Sequence, residues 1–269
     1  MSEFLDVCQR AARAGGKVLL DMRGKIKPRE KAPKDLVTEA DFASQEVIRK
    51  IVEEAFPDHA FVGEEDSPDG ISPDSSDVDG REYCWIVDPL DGTLNYVHQL
   101  PYYSVSIALR HKNDVLVGVV FDPVHDACFA AEAGRGAWLN GTPIQTSSCD
   151  VFREALIGAS LPIDVPRDSV DVAHFFAVVQ QSQAIRRLGS AALNMCYVAA
   201  GMLDGYWATC AKIWDVAAGQ LILKEANGAI TGLDGTPFDL DRPQFVASAT
   251  PQLHHQFLSI LRRAGEASE

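Results

Sequence analysis

The stretch Trp85-Ile-Val-Asp-Pro-Leu-Asp-Gly-Thr-Leu-Asn-Tyr96 carries more information than any other in the 269-residue chain. It begins as an apolar strand, Trp85 to Val87, and runs into two carboxylates three residues apart, Asp88 and Asp91. Carboxylates that close repel each other and are costly to keep at the end of a buried strand unless positive charge sits between them. A divalent cation is the usual answer, and hard oxygen donors point to Mg²⁺ or Mn²⁺ rather than to zinc. Gly92 and Thr93 then open a helix. The first N–H groups of that helix, including Leu94, lack intrahelical acceptors and would face an anion. Metal beside an anion cradle reads as phosphoryl chemistry. The same residues also fit an Asx-type turn after a strand, and spacing leaves both readings open.

Outward from this stretch, other acids stand where elements begin or end. Gly63-Glu-Glu-Asp66 follows the apolar Ala60-Phe-Val62, placing Glu64 and Glu65 at a strand end. Asp41 closes the capping box Thr38-Glu-Ala-Asp41, and Asp215 opens a helix in Trp214-Asp-Val-Ala-Ala. Taken singly, these are a solvated turn, a capping acid and a favourable helix N-terminal charge. Their coincidence at element ends, where layered α/β folds build active sites, favours a shared site.

The rest of the chain supplies a scaffold. Apolar residues at helical spacing predict a helix over Phe4–Met22 that stops at Gly24, and a second from Thr38 to before Pro57. Lys25–Lys34 reads as a basic loop with two prolines, and Asp66–Glu82 as a solvated acidic loop or insertion that follows a candidate ligand segment. Strands are expected at Cys84–Val87, Tyr103–Leu109, Val115–Phe121, Cys128–Ala131 and Ala137–Leu139. Beyond about residue 145, strands at Leu156–Ala159, Ala184–Leu188 and Gly205–Ala208 alternate with helices at Val170–Gln181, Ala191–Ala200 and Trp214–Ala226. Thr250-Pro251 caps a last helix. The pattern predicts an antiparallel-rich α+β half, 1–145, and an α/β half, 146–269, packed as layers into one catalytic unit.

Composition excludes several classes. Hydrophobic content of 46% and charged content of 23% are those of an ordinary soluble protein. Apolar runs such as Val115–Phe121 are far too short to span a bilayer, and Met1–Asp6 has no secretory pattern. Six cysteines without a CxxC pair read as reduced residues of a cytoplasmic protein. A formal charge of −14 argues against non-specific nucleic-acid binding. The seven histidines are scattered, and no Walker loop, GxSxG or HExxH occurs.

Gly63-Glu-Glu, Trp85–Tyr96 and Trp214-Asp-Val-Ala-Ala-Gly219 resemble the signature segments of the inositol monophosphatase family. Asp35–Asp41 and Leu188-Gly-Ser-Ala-Ala-Leu-Asn-Met-Cys196 are similar to its flanking segments, in the family's order. The resemblance implies a five-layered αβαβα sandwich, usually a homodimer, with Mg²⁺-dependent, lithium-sensitive phosphomonoesterase activity on a small phosphorylated substrate. It implies about two or three Mg²⁺ ions per site, with Mn²⁺ as a substitute. Carried over by position, Glu64, Asp88, Asp91 and Asp215 are the metal carboxylates, and Leu90 is a ligand through its carbonyl. Gly92 and Thr93 hold the phosphate through backbone amides. Thr93, with Asp41 behind it, positions and deprotonates the attacking water, and Glu64 joins them at the reacting centre. Gly189, Ser190 and Ala191 line the alcohol side, together with Asp91 and Asp215. Lys31 lies in the loop that carries a mobile lysine, at a shifted spacing.

One departure bears on substrate. Inositol-recognising members carry a Glu seven residues before the Trp-Asp aspartate, and here that position is Ala208. Unpaired substrate hydroxyls typically cost about 1–3 kcal/mol each. Lys212, nearby, favours a more anionic substrate or is simply a surface lysine. Inositol 1-phosphate or a related polyol phosphate is the first expectation. Fructose 1,6-bisphosphate, histidinol phosphate and 3′-phosphoadenosine nucleotides are alternatives on the same site. A reading of another class is a family member that acts mainly by binding protein or RNA as a regulator.

Overall fold

Helix α1 (Glu3–Met22) starts where Ser2 accepts a hydrogen bond from the Leu5 N–H at 3.3 Å, with Glu3 and Asp6 in the first turn. In the computed structural model, residues 2–25, 29–32, 35–66 and 80–266 are described. After α1 come a hairpin of β1 (Arg29–Ala32) and β2 (Asp35–Val37), α2 (Glu39–Ala55) and β3 (Ala60–Gly63). Then follow β4 (Tyr83–Asp91), the five-residue α3 (Thr93–Val97), β5 (Ser104–His111), β6 (Asp114–Asp122), β7 (Ala127–Glu132), β8 (Gly136–Leu139) and β9 (Thr142–Pro143). The remaining elements are β10 (Leu156–Ser160), α4 (Val170–Gln181), β11 (Ala184–Arg186), α5 (Ala191–Ala199), β12 (Gly205–Ala208), α6 (Ile213–Glu225), β13 (Ala229–Gly232), β14 (Phe245–Ser248) and α7 (Pro251–Glu266).

Strands β3 to β9 form one seven-stranded sheet in chain order, antiparallel except for the parallel β3–β4 pair. Strands β10 to β14 form a five-stranded mixed sheet in the order β11-β10-β12-β14-β13. Helices α1 and α2 cover the outer face of the first sheet, α5 and α6 fill the space between the sheets, and α4 and α7 cover the outer face of the second. This is the expected five-layered αβαβα sandwich.

Alternation along β4 accounts for its place in the stack. Trp85 and Val87 pack toward α1 and α2, whereas Cys84 and Ile86 pack into the middle core with α5 and α6. A strand buried on both faces reads as a continuous apolar run, which is why this segment was recognisable. On the second sheet Ile157, Trp207 and Val246 pack against Leu253 and Phe257 of α7, while Tyr206, Phe245 and Ala247 face inward. Each such large side chain contributes about 1.5–3 kcal/mol by leaving water. The approach of α6 to the first sheet is unusually close. A Cβ at Gly118 on β6 would come within 2.9 Å of the Ala218 Cα. That contact sets the height at which α6 presents its first turn.

Several expectations need correction. The basic loop Lys25–Lys34 contains β1, paired antiparallel to β2 with Arg29 opposite Val37 and Glu30 opposite Leu36. Four mostly polar residues offer no alternation to read. Strands β9, β13 and β14 were not foreseen; each spans four residues or fewer, too short for a period to emerge. Strand β4 runs on through both aspartates to Asp91, with a bulge between the Asp88–Ser106 and Asp91–Ser104 pairs. The acidic segment is described only at its ends, residues 67–79 and the side chain of Lys31 lying outside the described residues. At its start, Asp66 accepts hydrogen bonds from Gln45, Arg49 and the Gly63 N–H, which anchor it to α2. Four cysteines (Cys8, Cys84, Cys128 and Cys196) are buried thiols, but Cys149 is half-buried and Cys210 exposed.

Candidate active site

The bulge in β4 turns Asp88 and Asp91 toward the gap that the first turn of α6 fills with Asp215. Carboxylate oxygens of these three residues all lie within 4.8 Å of one another. Asp88 and Asp91 are buried, and Asp215 is half-buried. Glu64, in the 3₁₀ turn Glu64–Asp66 after β3, stands outside that triplet but close enough for its charge to act on Asp88 and Asp215.

Each acid is held in place by backbone donors. Asp88 accepts from the Leu90 N–H at 2.9 Å, so the Asx turn is present and coexists with the acidic cluster. Asp215 accepts from the Lys212 N–H at 2.7 Å as a capping acid of α6. Asp91 takes three hydrogen bonds at the start of α5: from the Ala191 N–H at 3.1 Å, the Ala192 N–H at 2.8 Å and the Ser190 hydroxyl. Burial, then the charges of Glu64, Asp91 and Asp215, push the Asp88 carboxyl well above the usual carboxylate range. Burial and then Asp91 do the same to Asp215. Burial also raises Asp91, against the lowering pull of Ser190, Ala192 and Ala191.

An oxygen-only donor set of crowded, buried carboxylates fits a hard divalent cation. Imidazole and thiolate are missing from the set, so it does not fit a zinc site. The protein's own charges at Asp88 are all of its own sign, and a cation is what would relieve them.

Beside the triplet, the Thr93 hydroxyl donates to the Leu90 carbonyl at 3.0 Å and lies 3.3 Å from Asp41 Oδ1. Asp41 is itself buried at the start of α2, where the Thr38 N–H (2.8 Å) and hydroxyl (2.6 Å) both donate to its other oxygen. Burial pushes its carboxyl up to about 6, Glu65 adds to the rise and the Thr38 hydrogen bond opposes it. Between these groups Gly92 adopts a positive φ of 96°. A Cβ there would lie 3.2 Å from both the Gly189 and Tyr102 carbonyl oxygens, so only glycine fits the turn. The N–H groups of Thr93 and Leu94 follow in the first turn of α3.

The Gly189–Ala191 segment divides. Gly189 is exposed, but Ser190 is fully buried, accepting from the Leu193 N–H at 3.2 Å as the cap of α5 while donating to Asp91. It therefore backs Asp91 while it caps α5. Ala208 is likewise fully buried, at the end of β12 between Ser160 and Phe245.

Sequence reasoning gave no structural role to Asn95. Its Nδ2 donates to the Tyr102 and Leu188 carbonyls, each at 2.7 Å, tying the turn after β4 to the segment that leads into α5. An amide just after a Gly-Thr turn was the available signal. Ser106, also overlooked, donates to the Trp214 carbonyl at 3.0 Å beside Asp215.

The sequence model of the inositol monophosphatase family matches residues 1–266. The chain belongs to the inositol monophosphatase family. Among relatives, the Pseudomonas aeruginosa protein named Nus factor SuhB is 38% identical over 256 residues, 93% of either chain. An Aquifex aeolicus protein named fructose-1,6-bisphosphatase/inositol-1-monophosphatase is 35% identical over 272 residues, covering 100% of this chain and 98% of its own. The solved structure of the Thermotoga maritima IMPase superposes with a TM-score of 0.88 at 30% identity, covering 100% of both chains. Membership of the inositol monophosphatase family makes this protein a metal-dependent phosphoric monoester hydrolase.

Proposed function

We propose that the protein hydrolyses a small polyol phosphate, inositol 1-phosphate first among candidates, to alcohol and inorganic phosphate. The observation that carries this reading is the convergence of Asp88, Asp91 and Asp215 within 4.8 Å, next to the Thr93–Asp41 pair. Glu64, Asp88, Asp91, Asp215 and the Leu90 carbonyl would hold Mg²⁺, with Mn²⁺ as a substitute. Bound there, the metal supplies positive charge against the transferring phosphoryl group and acidifies water.

The chain's own groups then have separate tasks. The first-turn amides at Gly92 and Thr93 would bind phosphate oxygens. Thr93 would orient the attacking water and pass its proton toward Asp41, whose raised pKa suits a base working near neutrality. Ser190 would hold Asp91 in its ligating orientation, a service Thr38 performs for Asp41. Gly189 and Ala191 would border the alcohol, and with Ala208 buried the alcohol hydroxyls would be read by other groups. Halves 1–145 and 146–269 would work as one unit, since Asp91 comes from the first and Asp215 from the second. We place the enzyme in the cytoplasm as a homodimer, on its family resemblance. No helix among the described residues is long and apolar enough to cross a membrane.

The test is phosphate release from inositol 1-phosphate, fructose 1,6-bisphosphate, histidinol phosphate and 3′-phosphoadenosine 5′-phosphate, with Mg²⁺ and with or without Li⁺. Lithium-sensitive turnover led by inositol 1-phosphate supports the reading. Turnover led by another ester keeps the mechanism and moves the substrate. The name Nus factor SuhB, carried by a relative, favours a second reading in which partner binding is the main task. Release from none of the four esters, with metal bound, would select it.

A further inference from the structure

Asp41, Gln45 and Arg49 stand on one stripe of α2, each four residues from the next. Asp41 meets Thr93, whereas the other two reach the 3₁₀ turn Glu64–Asp66. Gln45 is the centre of that contact and is only 6% exposed. Its Oε1 accepts from the Glu65 N–H at 3.1 Å, and its Nε2 donates to Asp66 Oδ1 at 3.2 Å. Arg49 donates to the other oxygen of Asp66, which also accepts from the Gly63 N–H at 3.2 Å. The Arg49 guanidinium lies 4.0 Å from the centre of the Phe61 ring, which supports it from β3.

The residues on either side of Glu64 are thus tied down. The Glu65 N–H ends on Gln45, and the Gly63 N–H ends on an Asp66 that Gln45 and Arg49 hold. A Cβ at Gly63 would fall 2.1 Å from Gln45 Oε1 and 2.4 Å from Gln45 Cδ, so the amide occupies the space a side chain would need there. A three-residue 3₁₀ turn has poor hydrogen-bond geometry of its own. Glu64 is also repelled by the like charges of Asp88 and Asp215, which push it out of the cluster. Something outside the turn has to oppose that push. Gln45 is suited to it because an amide offers an acceptor to the Glu65 N–H and a donor to the Asp66 carboxylate at once. A carboxylate in its place would repel Asp66, and an apolar chain would satisfy neither partner.

We propose that Gln45 is a positioning residue for the metal site, clamping the turn that holds Glu64 within reach of Asp88 and Asp215. The same helix carries Asp41, so one rigid element fixes both the metal ligand and the group behind Thr93. The assignment rests on the reading of Glu64 as a metal ligand.

The experiment is Mn²⁺ binding to the full-length protein, followed by electron paramagnetic resonance, beside the Mg²⁺ dependence of phosphate release. Gln45→Met keeps the bulk and removes both hydrogen bonds. It should weaken Mn²⁺ binding about tenfold and raise the Mg²⁺ concentration for half-maximal release by a similar factor. Glu64→Gln should weaken Mn²⁺ binding by itself. Adding Gln45→Met to it should cost nothing further, because a residue that acts through Glu64 is silent once Glu64 no longer ligates. Asp66→Ala, at an exposed position, opens the other end of the clamp and should weaken Mn²⁺ in the same direction. It keeps the test decisive if Gln45→Met fails to fold. A lower melting temperature with unaltered Mn²⁺ affinity in Gln45→Met, unaltered affinity in Asp66→Ala, or equal losses from Gln45→Met with and without Glu64, would overturn the assignment alone. Mn²⁺ affinity that survives Glu64→Gln would overturn the reading of Glu64 as a ligand, and the assignment with it.

Discussion

Ser190 donates its hydroxyl hydrogen to Asp91 from a position 99 residues along the chain, joining the cap of α5 to the end of β4. The bond is buried, and the same hydroxyl accepts from the Leu193 N–H. One side chain thus starts a helix and aims a candidate metal ligand. Ser190→Ala should cost about 1–3 kcal/mol of stability, since it leaves both partners short of a buried bond. The Mg²⁺ concentration for half-maximal phosphate release should rise in parallel. A fall in melting temperature without any change in Mg²⁺ dependence would limit Ser190 to capping.

Asp88→Asn separates charge from packing. The amide fills the same space but cannot share a cation as an anion, and turnover should fall at least a hundredfold, about 3 kcal/mol. In the metal-free protein the same change relieves repulsion from Glu64, Asp91 and Asp215, so the apo melting temperature should hold or rise. Phosphate release and melting in EDTA check the two halves. Wild-type turnover would remove Asp88 from the metal set.

Stability of the metal-free protein should depend on pH with a definite sign. Asp88 and Asp215 have folded pKa values raised above the ordinary 3.8 by burial first and by like charges second. A raised carboxyl binds protons more tightly when folded, so its contribution is fully present below 3.8 and lost as pH rises through the folded value. Melting in EDTA should therefore worsen from acid toward neutral pH, and Mg²⁺ should restore stability most at the neutral end. An EDTA melting temperature that does not fall over this interval would contradict the crowding.

Asp41 and Thr93 should set the acid limb of the rate. Asp41 accepts a proton only when ionised, and its raised value of about 6 places the onset of activity at or below that pH, since bound cations add positive charge. Asp41→Asn should abolish this limb and slow the reaction. Thr93→Ala should slow it with little change in Mg²⁺ affinity. An unaltered limb in Asp41→Asn would assign it to another group.

Gly92→Ala tests the turn itself. Left-handed backbone costs an L-residue about 1–2 kcal/mol, before the contacts at 3.2 Å with the Gly189 and Tyr102 carbonyls. The variant should melt lower and bind phosphate poorly, measured by calorimetry and by product inhibition. Retention of both properties would mean that the cradle tolerates a shifted α3.

Much of this molecule was legible locally. The double-sided burial of β4, the Thr38–Asp41 box and the capping acid Asp215 are written in residues a few positions apart. Periodicity and capping act over one or two turns, and a linear reading covers that range. The β1–β2 hairpin and strand β14 escaped because very short strands owe their pairing to neighbours rather than to their own pattern. The site depended on longer distances. Asp88, Asp91 and Asp215 each have a sufficient local explanation as a turn or cap, and sequence left those explanations standing. Folding brought all three within 4.8 Å. It also turned Ser190 inward behind Asp91. Those outcomes follow from how α5 and α6 dock between the two sheets, an arrangement set by shape and close approach, as at Gly118 against Ala218, rather than by any local pattern.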